Sequence, residues 1–575
     1  MASGSYGSFL RGLFIGDISM ERLPSIPALS DERGETLSMV LDSVRKFLAG
    51  HQEHFREFDR KGAQPDEYVT ALAELGLFGL IIPEEHGGLG CSAREYARVL
   101  EEISRQDAST SLTVGAHSSI GMKGILLFGS VEQKERYLPK LASGEYRAAF
   151  CLTEAGSGSD AASITTRAHR QDDGSWVLSG EKIWITNGSF AEVFTVFAKS
   201  GDAEGDITAF IVERAFPGVS SGPKEDKMGI RASATCSVRF DGVRVPAENV
   251  LGAPGGGFKI AMAILNNGRT GLGGGCVGAM KRCIEMATAH AVQRKQFGRP
   301  IASFGLIQEK LAHMTALCYA TEAVVDRVAF LIDSGEEDFS LEAASSKVFG
   351  TESLWRVADE ALQIAGGNGF MREYPFERIV RDCRINRIFE GTNEILRLYV
   401  GLTGAKEAGS YLERVGQGVG SLFSEPSAAM SVVTDYASKR LVEYIPGMAH
   451  GGELEDGELA PHFRILAKYS AAFAHGVDSS VRHHRRGITE QQIVVKRLAD
   501  CAIDLFVGWC VLSRVDNELR MKSPNAHHGV AVATVLINEI KRRVNQNIRR
   551  LSRNEDVQVA GIGAAVVDKG GYLWD

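Results

Sequence analysis

The segments EVFTVFAKS (192–200) and ITAFIVER (207–214) decide the fold class, because they interrupt a chain that is otherwise helical in pattern. Both are short, rich in β-branched and aromatic residues, and bounded by turn residues, which is typical of β-strands. WVLSG (176–180) and CSVRFDGVRV (236–245) have the same character. The pair Asp173-Gly174 favours a hairpin turn. We therefore predict an antiparallel β domain.

Helical periodicity flanks this β segment on both sides. Apolar residues recur at helical spacing from residue 35 onward, again from 256 to 403, and from about 432 to 550. GQGVGSLFSEPSAAMS (416–431) indicates a linker, and the tail after 550 is weakly patterned. The predicted fold is mainly α with a central antiparallel β domain. Its parts are an N-terminal helical domain (1–146), the β domain (147–253), a C-terminal helical domain (254–403), a linker (404–431) and an extra helical domain (432–575).

Composition narrows the class of protein. A chain of 575 residues is too long for one ordinary core, so roughly two to four domains are expected. The net charge of −8 argues against a general nucleic-acid binder. Nine cysteines without a CxxC pair indicate free thiols in a reducing compartment, with neither zinc nor a disulfide framework.

Membrane and targeting signals are weak. No apolar run reaches the roughly 18 residues that a membrane-spanning helix needs. The start MASGSYGSFLRGLFIGDI has no signal-peptide core with a cleavage site. We therefore expect a cytosolic or an already processed chain.

One apparent nucleotide-binding motif is rejected. Gly273, Gly275 and Gly278 match GxGxxG. The residues before them, IAMAILNNGRT, have the pattern of a helix, whereas the dinucleotide motif must follow a strand. The order of helices, β segment and helices is also not the βαβ alternation of a doubly wound sheet.

Six separated motifs, in this order, together resemble the flavin-dependent acyl-CoA dehydrogenases. They are LGLFGLIIPEEHGGLG (75–90), FCLTEAGSGSDAASITTRA (150–168), KIWITNG (182–188), RKQFGRPIASFGLIQEKLA (294–312), QIAGGNGF (363–370) and RIFEGTNEILR (387–397). The resemblance covers residues 35–403. RRGITEQQIVVKRLADCAIDLF (485–506) and SFLRGLFIGDI (8–18) further resemble the very-long-chain branch of that family.

The resemblance implies a fold and a reaction. The C-terminal domain would be a four-helix domain, and FAD would lie between the β domain and the helices. The reaction would be α,β-dehydrogenation of long- or very-long-chain acyl-CoA to trans-2-enoyl-CoA, the first step of fatty acid β-oxidation. Electrons would pass to an electron-transfer flavoprotein.

Glu390, in RIFEGTNEILR, is the predicted catalytic base. The reaction needs a base for the α-proton and donors that stabilise the developing enolate. Ile388 and Phe389 can exclude water and so raise the pKa of the carboxyl, while Gly391 lets substrate approach the backbone. By resemblance, the Glu390 amide also binds the thioester oxygen. A few relatives carry the base at the position of Gly268, which here has no side chain.

The resemblance also implies the binding residues. Trp184 would stack beside the flavin, and glycines would allow close approach of the dinucleotide. The predicted cofactor-binding residues are Phe150, Leu152, Thr153, Gly158, Ser159, Trp184, Ile185, Thr186, Arg294, Gln296, Phe297, Gln363, Gly366, Gly367, Thr392 and Asn393. The predicted substrate-binding residues are Ser159, Asn266, Asn267, Gly268, Arg269, Phe389 and Gly391. Thr392 and Asn393 would also cap the next helix.

The expected partners follow from the same resemblance. Arg294, Gln296 and Phe297 resemble a segment that reaches the FAD of a neighbouring subunit, so a homodimer is expected. Phe463, Leu466, Tyr469 and Phe473 recur at helical spacing before a basic end at 482–486. This helix either lies on an anionic membrane surface or packs on its own core. The compartment would be the bacterial cytoplasm, or the mitochondrial matrix and inner membrane for a processed eukaryotic chain.

Two other functions remain open from the sequence. An acyl-CoA oxidase would share the fold and the base but give electrons to oxygen. A scaffold for respiratory-complex assembly would keep the fold without needing the reaction. Glu390, Trp184 and Arg294 together weigh against a pure scaffold.

Overall fold

The computed structural model describes residues 7–201, 206–420, 426–442, 444 and 457–574. The chain divides into two compact units. The first is Ile26–Asn393. The second combines the described residues of Tyr6–Ser25 and Glu394–Asp575. The predicted order of helices, sheet, helices and extra helices is confirmed.

Helices form both ends of the first unit, as the sequence pattern predicts. The helix that begins at Asp31 buries Val44 and Leu48 at helical spacing, and Ser92 starts another helix with a capping box to Glu95. The helices are α2 (Asp31–Gly50), α3 (His54–Lys61), α4 (Asp66–Glu74), α5 (Ala93–Gln106), α6 (Ala108–Gly115), α7 (Lys123–Phe128), α8 (Val131–Ser143), α9 (Gly257–Gln293), α10 (Gly305–Asp333), α11 (Ser340–Ala365), α12 (Gly367–Phe370) and α13 (Phe376–Cys383), following α1 (Phe9–Ile15) of the second unit.

Between these helices lies one eight-stranded sheet. Its strands are β1 (Ala148–Cys151), β2 (Arg167–Arg170), β3 (Trp176–Thr186), β4 (Val193–Lys199), β5 (Ile207–Glu213), β6 (Val219–Lys224), β7 (Thr235–Val245) and β8 (Val250–Leu251). The order is β6-β7-β3-β2-β4-β5-β8, with β1 beside β4. Most pairs are antiparallel, but β4 pairs in parallel with β1 and with β2. The predicted turn at Asp173-Gly174 joins β2 to β3, with Gly174 at φ 84°.

The rejected GxGxxG motif lies inside α9, and its glycines serve helix packing. A Cβ atom on Gly278 would lie 1.9 Å from the carbonyl oxygen of Glu101, and one on Gly274, which lies between the first two glycines of the motif, would lie 2.3 Å from that of Ala97. Both contacts are far below van der Waals distance. The glycines therefore let α9 approach the backbone of α5, which confirms that the motif is not a nucleotide loop.

A short hairpin follows α9. Its strands are β9 (Lys295–Gln296) and β10 (Arg299–Pro300), which pair with each other. Phe297 at its tip has φ 51° and is 94% exposed.

The second unit is helical. Its helices are α1, α14 (which begins at Asn393 and ends at Gly420), α15 (Pro426–Leu441), α16 (Ala460–His484), α17 (Gln492–Arg520), α18 (Ala526–Arg549) and α19 (Asp556–Lys569). α16, α17 and α18 pack together. Within the described part of the chain, no helix is long and apolar enough to cross a membrane.

Helix α1 belongs to this second unit, so its assignment to the N-terminal domain (1–146) is wrong. The ring of Phe14 meets that of Phe473 on α16, with centroids 5.0 Å apart. The ring of Phe9 lies 6.1 Å from that of Trp509 on α17. Because α1 buries its apolar side chains against α16 and α17, contacts distant in sequence decide where it lies.

One further prediction for this region, the linker, changes. The predicted linker (404–431) is helical through Gly420 and again from Pro426, while 421–425 lie outside the described residues. Buried Ala408 and Tyr411 anchor α14, and that packing outweighs the helix penalty of about 1 kcal/mol for each glycine.

On α16, Phe463, Leu466 and Phe473 are buried in the unit's own core. The alternative of a helix packed on its own core is therefore the one observed.

Candidate active site

Glu390 lies in a loop with unusual backbone geometry. Its φ is 55°, and that of Gly391 is 88°. A left-handed conformation is strained for glutamate and costs on the order of 1–3 kcal/mol, whereas glycine adopts it freely. The loop must therefore be held by its surroundings.

One face of α11 holds this loop. The ammonium of Lys347 donates to the carbonyl oxygen of Gly391 and to Oδ1 of Asn393, both at 2.8 Å. Asn393 Nδ2 donates to Thr351 Oγ1 and to Glu352 Oε1, both at 3.0 Å. Three side chains from adjacent turns of α11 thus fix both sides of the Gly391–Asn393 segment.

The carboxyl of Glu390 is held in a low-dielectric setting. Its Oε2 atom is buried and hydrogen-bonds to none of the described residues. Burial raises the pKa of Glu390, while the positive charges of Arg269 and Lys347 oppose that rise. The Nη2 atom of Arg269 lies 3.4 Å from the carbonyl oxygen of Glu390. A buried oxygen atom and a raised pKa are what a general base requires.

Space beside this carboxyl comes from Gly268 on α9. A Cβ atom there would lie 3.0 Å from Cγ2 of Ile120, 3.5 Å from the carbonyl oxygen of Ser119 and 3.8 Å from Oε2 of Glu390. One turn further along α9, a Cβ on Gly271 would lie 2.9 Å from the ring of Tyr96. Gly268, Ile120 and Glu390 therefore meet, and the missing side chain keeps the approach to Oε2 open.

The segment Ala116–Gly121, a turn of π-helix, connects this space to the sheet. His117 Nδ1 accepts a hydrogen bond of 3.0 Å from the amide of Ala148, the first residue of β1. Burial lowers the pKa of His117 to about 4, which keeps the ring neutral and able to accept. The segment therefore contacts both Gly268 and the strand that carries Phe150.

Two of the predicted cofactor segments are joined at the sheet. The amide of Ile183 donates to the carbonyl oxygen of Thr153 at 2.9 Å. Lys182 is buried and donates to the Leu152 carbonyl at 3.0 Å and to Glu154 at 2.7 Å. The loop after β1 and the end of β3 thus form one surface.

A buried ion pair supports that surface. Glu154 accepts from Lys182 on one oxygen and from the amide and hydroxyl of Thr165 on the other. Burial alone would raise the pKa of Glu154. The charge of Lys182 and its hydrogen bond, together with the hydrogen bonds from Thr165 and Thr166, lower that pKa to about 2. Glu154 therefore stays ionised and fixes the loop below Gly158 and Ser159, which are exposed.

Trp184 is the exposed aromatic of this surface. Its side chain is 63% exposed, and its φ is 57°. The next side chain, Ile185, is 3% exposed in the core of the sheet, so only its backbone could meet a cofactor. An exposed indole beside a glycine-containing loop fits the flat, partly apolar ring of a flavin. The residues present therefore fit FAD.

Six further predicted cofactor residues are exposed at two other places. Arg294, Gln296 and Phe297 lie exposed at the β9–β10 hairpin. Gln363, Gly366 and Gly367 lie exposed at the C-terminal end of α11, where Gly366 has φ 60° and ψ −133°. This exposure leaves both segments accessible to a dinucleotide.

Three predicted binding residues have internal partners. Asn393 directs its amide into α11, so a cofactor would meet its backbone rather than its side chain. Asn267 donates to the carbonyl oxygen of Ala263 at 2.9 Å. Arg269 is buried beside Glu390 and donates to Asn266 Oδ1 at 2.5 Å, so it does not line an open channel.

Thr392, Phe389 and Gly391 are half-buried around Glu390.

Sequence reasoning missed Lys347 and the segment Ala116–Gly121. Lys347 is the one charged residue of ASSKVFG (344–350), and a lone lysine among small and apolar residues of a helix is a signal for a buried charge. The Ala116–Gly121 segment carries no comparable signal, because its role depends on contacts with β1 and α9.

Four protein-family models match the chain. The acyl-CoA dehydrogenase N-terminal domain matches residues 34–145, the middle domain 149–243 and the C-terminal domain 255–403. The ACAD9/ACADV C-terminal domain matches residues 457–572.

Whole-chain relatives agree with these models. The very long-chain specific acyl-CoA dehydrogenase, mitochondrial, of Homo sapiens is 43% identical, with 98% of this chain and 88% of that protein covered. A probable acyl-CoA dehydrogenase of Bacillus subtilis is 36% identical over 95% of this chain and 92% of its own. A crystal structure of acyl-CoA dehydrogenase complexed with FAD from Bacillus anthracis has a TM-score of 0.80 and 34% identity, and covers 96% of this chain and 94% of that one. Together with the geometry around Glu390, these similarities show that the chain belongs to the acyl-CoA dehydrogenase family.

Proposed function

We propose that this chain is an FAD-dependent dehydrogenase that converts long- or very-long-chain acyl-CoA to trans-2-enoyl-CoA, with Glu390 as the base. Membership of the family supports the enzyme class and the cofactor. The observation that carries the mechanism is the buried Oε2 atom of Glu390, which faces the space left by Gly268.

The chain's own residues would perform the proton step. FAD, when bound, accepts the β-hydrogen as a hydride. Glu390 removes the α-proton onto its carboxylate, and its raised pKa brings the base toward the working pH. The Glu390 amide, fixed in the left-handed backbone, donates to the thioester oxygen and stabilises the negative charge that develops there.

Cofactor binding would use the surfaces already described. Trp184 would stack beside the flavin, and the loop with Thr153, Gly158 and Ser159 would bond its polar edge. Arg294, Gln296 and Phe297 would bind the FAD of a neighbouring subunit. The exposed Phe297 supports that role, because its ring meets the edge of Phe304 and yet stays 94% exposed within the described part of a single chain. On this proposal the enzyme is a homodimer.

The preference for long chains is supported by similarity. The relative of Homo sapiens is named for very long-chain substrates. Ser104 and Ser111 lie beside Gly275, where a Cβ atom would meet their hydroxyl oxygens at 3.5 and 3.6 Å. This contact is closely packed, so the proposed preference rests on the similarity.

The electron acceptor and the compartment follow the family. We propose an electron-transfer flavoprotein as acceptor, in the bacterial cytoplasm or, for a processed eukaryotic chain, in the mitochondrial matrix or at its inner membrane. Peripheral membrane contact of the C-terminal region would have to use a surface other than the apolar face of α16, which is buried.

The test is an anaerobic visible titration of the purified protein with palmitoyl-CoA and then octanoyl-CoA. Bleaching of the oxidised flavin band by palmitoyl-CoA is the expected result. Bleaching by octanoyl-CoA alone would refute the chain-length preference but keep the enzyme. A bound flavin that neither thioester bleaches would favour the scaffold alternative.

The same sample separates the dehydrogenase from the oxidase. After reduction by palmitoyl-CoA, air is admitted without a dye acceptor. A dehydrogenase should consume oxygen slowly and regain turnover with an electron-transfer flavoprotein. Rapid oxygen consumption that matches substrate turnover would make the chain an acyl-CoA oxidase.

A further inference from the structure

We propose that Lys347 is a positioning residue for Glu390: its buried ammonium holds the left-handed backbone at Glu390 and Gly391 and favours the ionised carboxylate. This inference rests on the proposed role of Glu390 as base. It adds a residue that touches neither the reacting carbons nor the carboxyl oxygens in the hydrogen bonds described above.

The first support is geometric. Lys347 lies on α11 and is 1% exposed. Its Nζ atom is 2.8 Å from the carbonyl oxygen of Gly391 and 2.8 Å from Oδ1 of Asn393. These two acceptors lie one and three residues after Glu390. A single ammonium group thus fixes the orientation of the peptide between Gly391 and Thr392, one residue beyond the base.

The second support is the strain of the loop. Two consecutive residues, Glu390 and Gly391, have positive φ, and such a conformation persists only where surrounding contacts enforce it. Thr351 and Glu352 bond Asn393 but do not reach Gly391 in the described contacts. Lys347 is the α11 side chain that connects both positions.

The third support is the charge around Glu390. The groups that act on Lys347 come from three elements: Glu390 on the loop, Arg269 and Cys276 on α9, and Glu352 on α11 itself. Burial lowers the pKa of Lys347 to about 7, and the negative charge of Glu390 opposes that decrease. Arg269 and Lys347 in turn oppose the raised pKa of Glu390. Each of the two groups therefore depends on the charge of the other.

The consequence concerns the start of the reaction. Glu390 must be ionised to accept the α-proton. Removing the ammonium leaves a buried carboxyl with less positive charge nearby, which shifts it toward the protonated form. Lys347 is thus expected to set the pH at which the base becomes active.

The kinetic test compares Lys347→Met, Lys347→Arg and Lys281→Met. Lys281 also pairs with carboxylates, Glu101 at 2.7 Å and Glu322 at 2.6 Å, but it lies outside the loop contacts. In Lys347→Met, we expect the pKa that limits kcat/KM on the acid side of the pH profile to rise by about one unit. At pH values below that pKa, kcat/KM should therefore be about tenfold lower than in the unchanged enzyme. Lys347→Arg and Lys281→Met should keep the acid-side pKa of the unchanged enzyme.

A second readout uses the FAD-free protein. Unfolding of Lys347→Met, Glu390→Gln and the double variant is measured at pH 6, below the pKa of about 7 of Lys347, where its amine carries a charge. If Lys347 and Glu390 interact, Lys347→Met lowers the free energy of unfolding by less in the Glu390→Gln background than in the unchanged protein. Additive losses, together with an unshifted acid-side pKa of kcat/KM, would overturn the inference.

The design also covers failure of folding and failure of the proposed function. If Lys347→Met does not fold, Lys347→Gln takes its place, since it keeps a donor but lacks the charge. Lys347→Arg keeps the positive charge. If its acid-side pKa of kcat/KM shifts as far as that of the neutral variants, the role of charge is contradicted. Normal turnover in Glu390→Gln would refute the base itself, whereas the unfolding cycle still reports whether the two side chains interact.

Discussion

Gly268 faces the carboxylate of Glu390: a Cβ atom on Gly268 would lie 3.8 Å from Oε2 and 3.0 Å from Cγ2 of Ile120. Gly268→Val is therefore expected to narrow the approach to the base. We expect kcat/KM for palmitoyl-CoA to fall about tenfold or more, since misplacement by about 1 Å can cost that much, with flavin content unchanged. Gly34→Val is the control, because a Cβ on Gly34 meets nothing within 4 Å. Equal losses in both variants would show that the space beside Glu390 is not used.

Glu390→Gln should remove the base while keeping the shape of the loop. Turnover is expected to fall by about 10²–10⁴-fold or more, while FAD remains bound. Rapid anaerobic mixing with palmitoyl-CoA measures the rate of flavin bleaching. Glu394→Gln, an exposed acid in the first turn of α14, is the matched control and should bleach normally. Near-normal bleaching in Glu390→Gln would refute the assignment.

The buried pair of Lys182 and Glu154 should matter for stability. Glu154→Gln leaves the Lys182 ammonium buried without its counter-charge, and we expect the free energy of unfolding to fall by about 3–5 kcal/mol. Denaturant titration at pH 7 measures this. Replacing both residues (Lys182→Met with Glu154→Gln) removes the unpaired charge and keeps an oxygen that accepts from Thr165 and Thr166, so it should recover part of the loss. Glu57→Gln, which breaks the exposed pair with Lys61, should have no measurable effect.

The same pair predicts a pH dependence. Because the pKa of Glu154 is lowered from 4.5 to about 2 in the folded protein, its contribution to stability is complete above pH 4.5 and is lost as the pH falls toward 2. The Glu154→Gln variant should lack this part of the acid destabilisation. Thermal unfolding at several pH values between 2.5 and 6 compares the two proteins. Parallel curves would contradict the lowered pKa.

Phe14 should be required for the stability of the second unit. Its side chain is fully buried against Phe473, and a Cβ on Gly404 would lie 2.3 Å from its ring. Phe14→Ala is expected to cost about 3–5 kcal/mol, seen as a lower denaturant midpoint in the fluorescence of the five tryptophans, which include the buried Trp509. Met521→Ala, at an exposed side chain of the same unit, is the control. Similar midpoints for both variants would show that α1 contributes little.

Much of the fold could be predicted because its signals are local. Strand composition identified the sheet, and helical spacing identified the flanking helices. Glu390 and the KIWITNG segment could be selected as candidates because each lies in a short motif. The residues that hold Glu390 and the KIWITNG segment in place could not be predicted in the same way. Lys347 acts on Glu390 from another element, and nothing in the sequence near either residue reports their contact.

The errors have the same physical origin. The linker was predicted from local glycines, but packing of buried α14 residues such as Ala408 and Tyr411 holds the helix. The segment with Phe14 was grouped with its sequence neighbours, whereas its partners lie on α16 and α17. Tertiary contacts override local preference in both cases.

The position of α1 has a consequence for how the chain is made. The carbonyl oxygen of Ile15 accepts a hydrogen bond from Arg440, a residue 425 positions later. At a synthesis rate of about 5–20 residues per second, α1 leaves the ribosome roughly 20–85 s before that partner exists. Its apolar side chains must stay exposed, or be shielded by a chaperone, throughout that interval. Correct assembly of the second unit is therefore completed only late in translation.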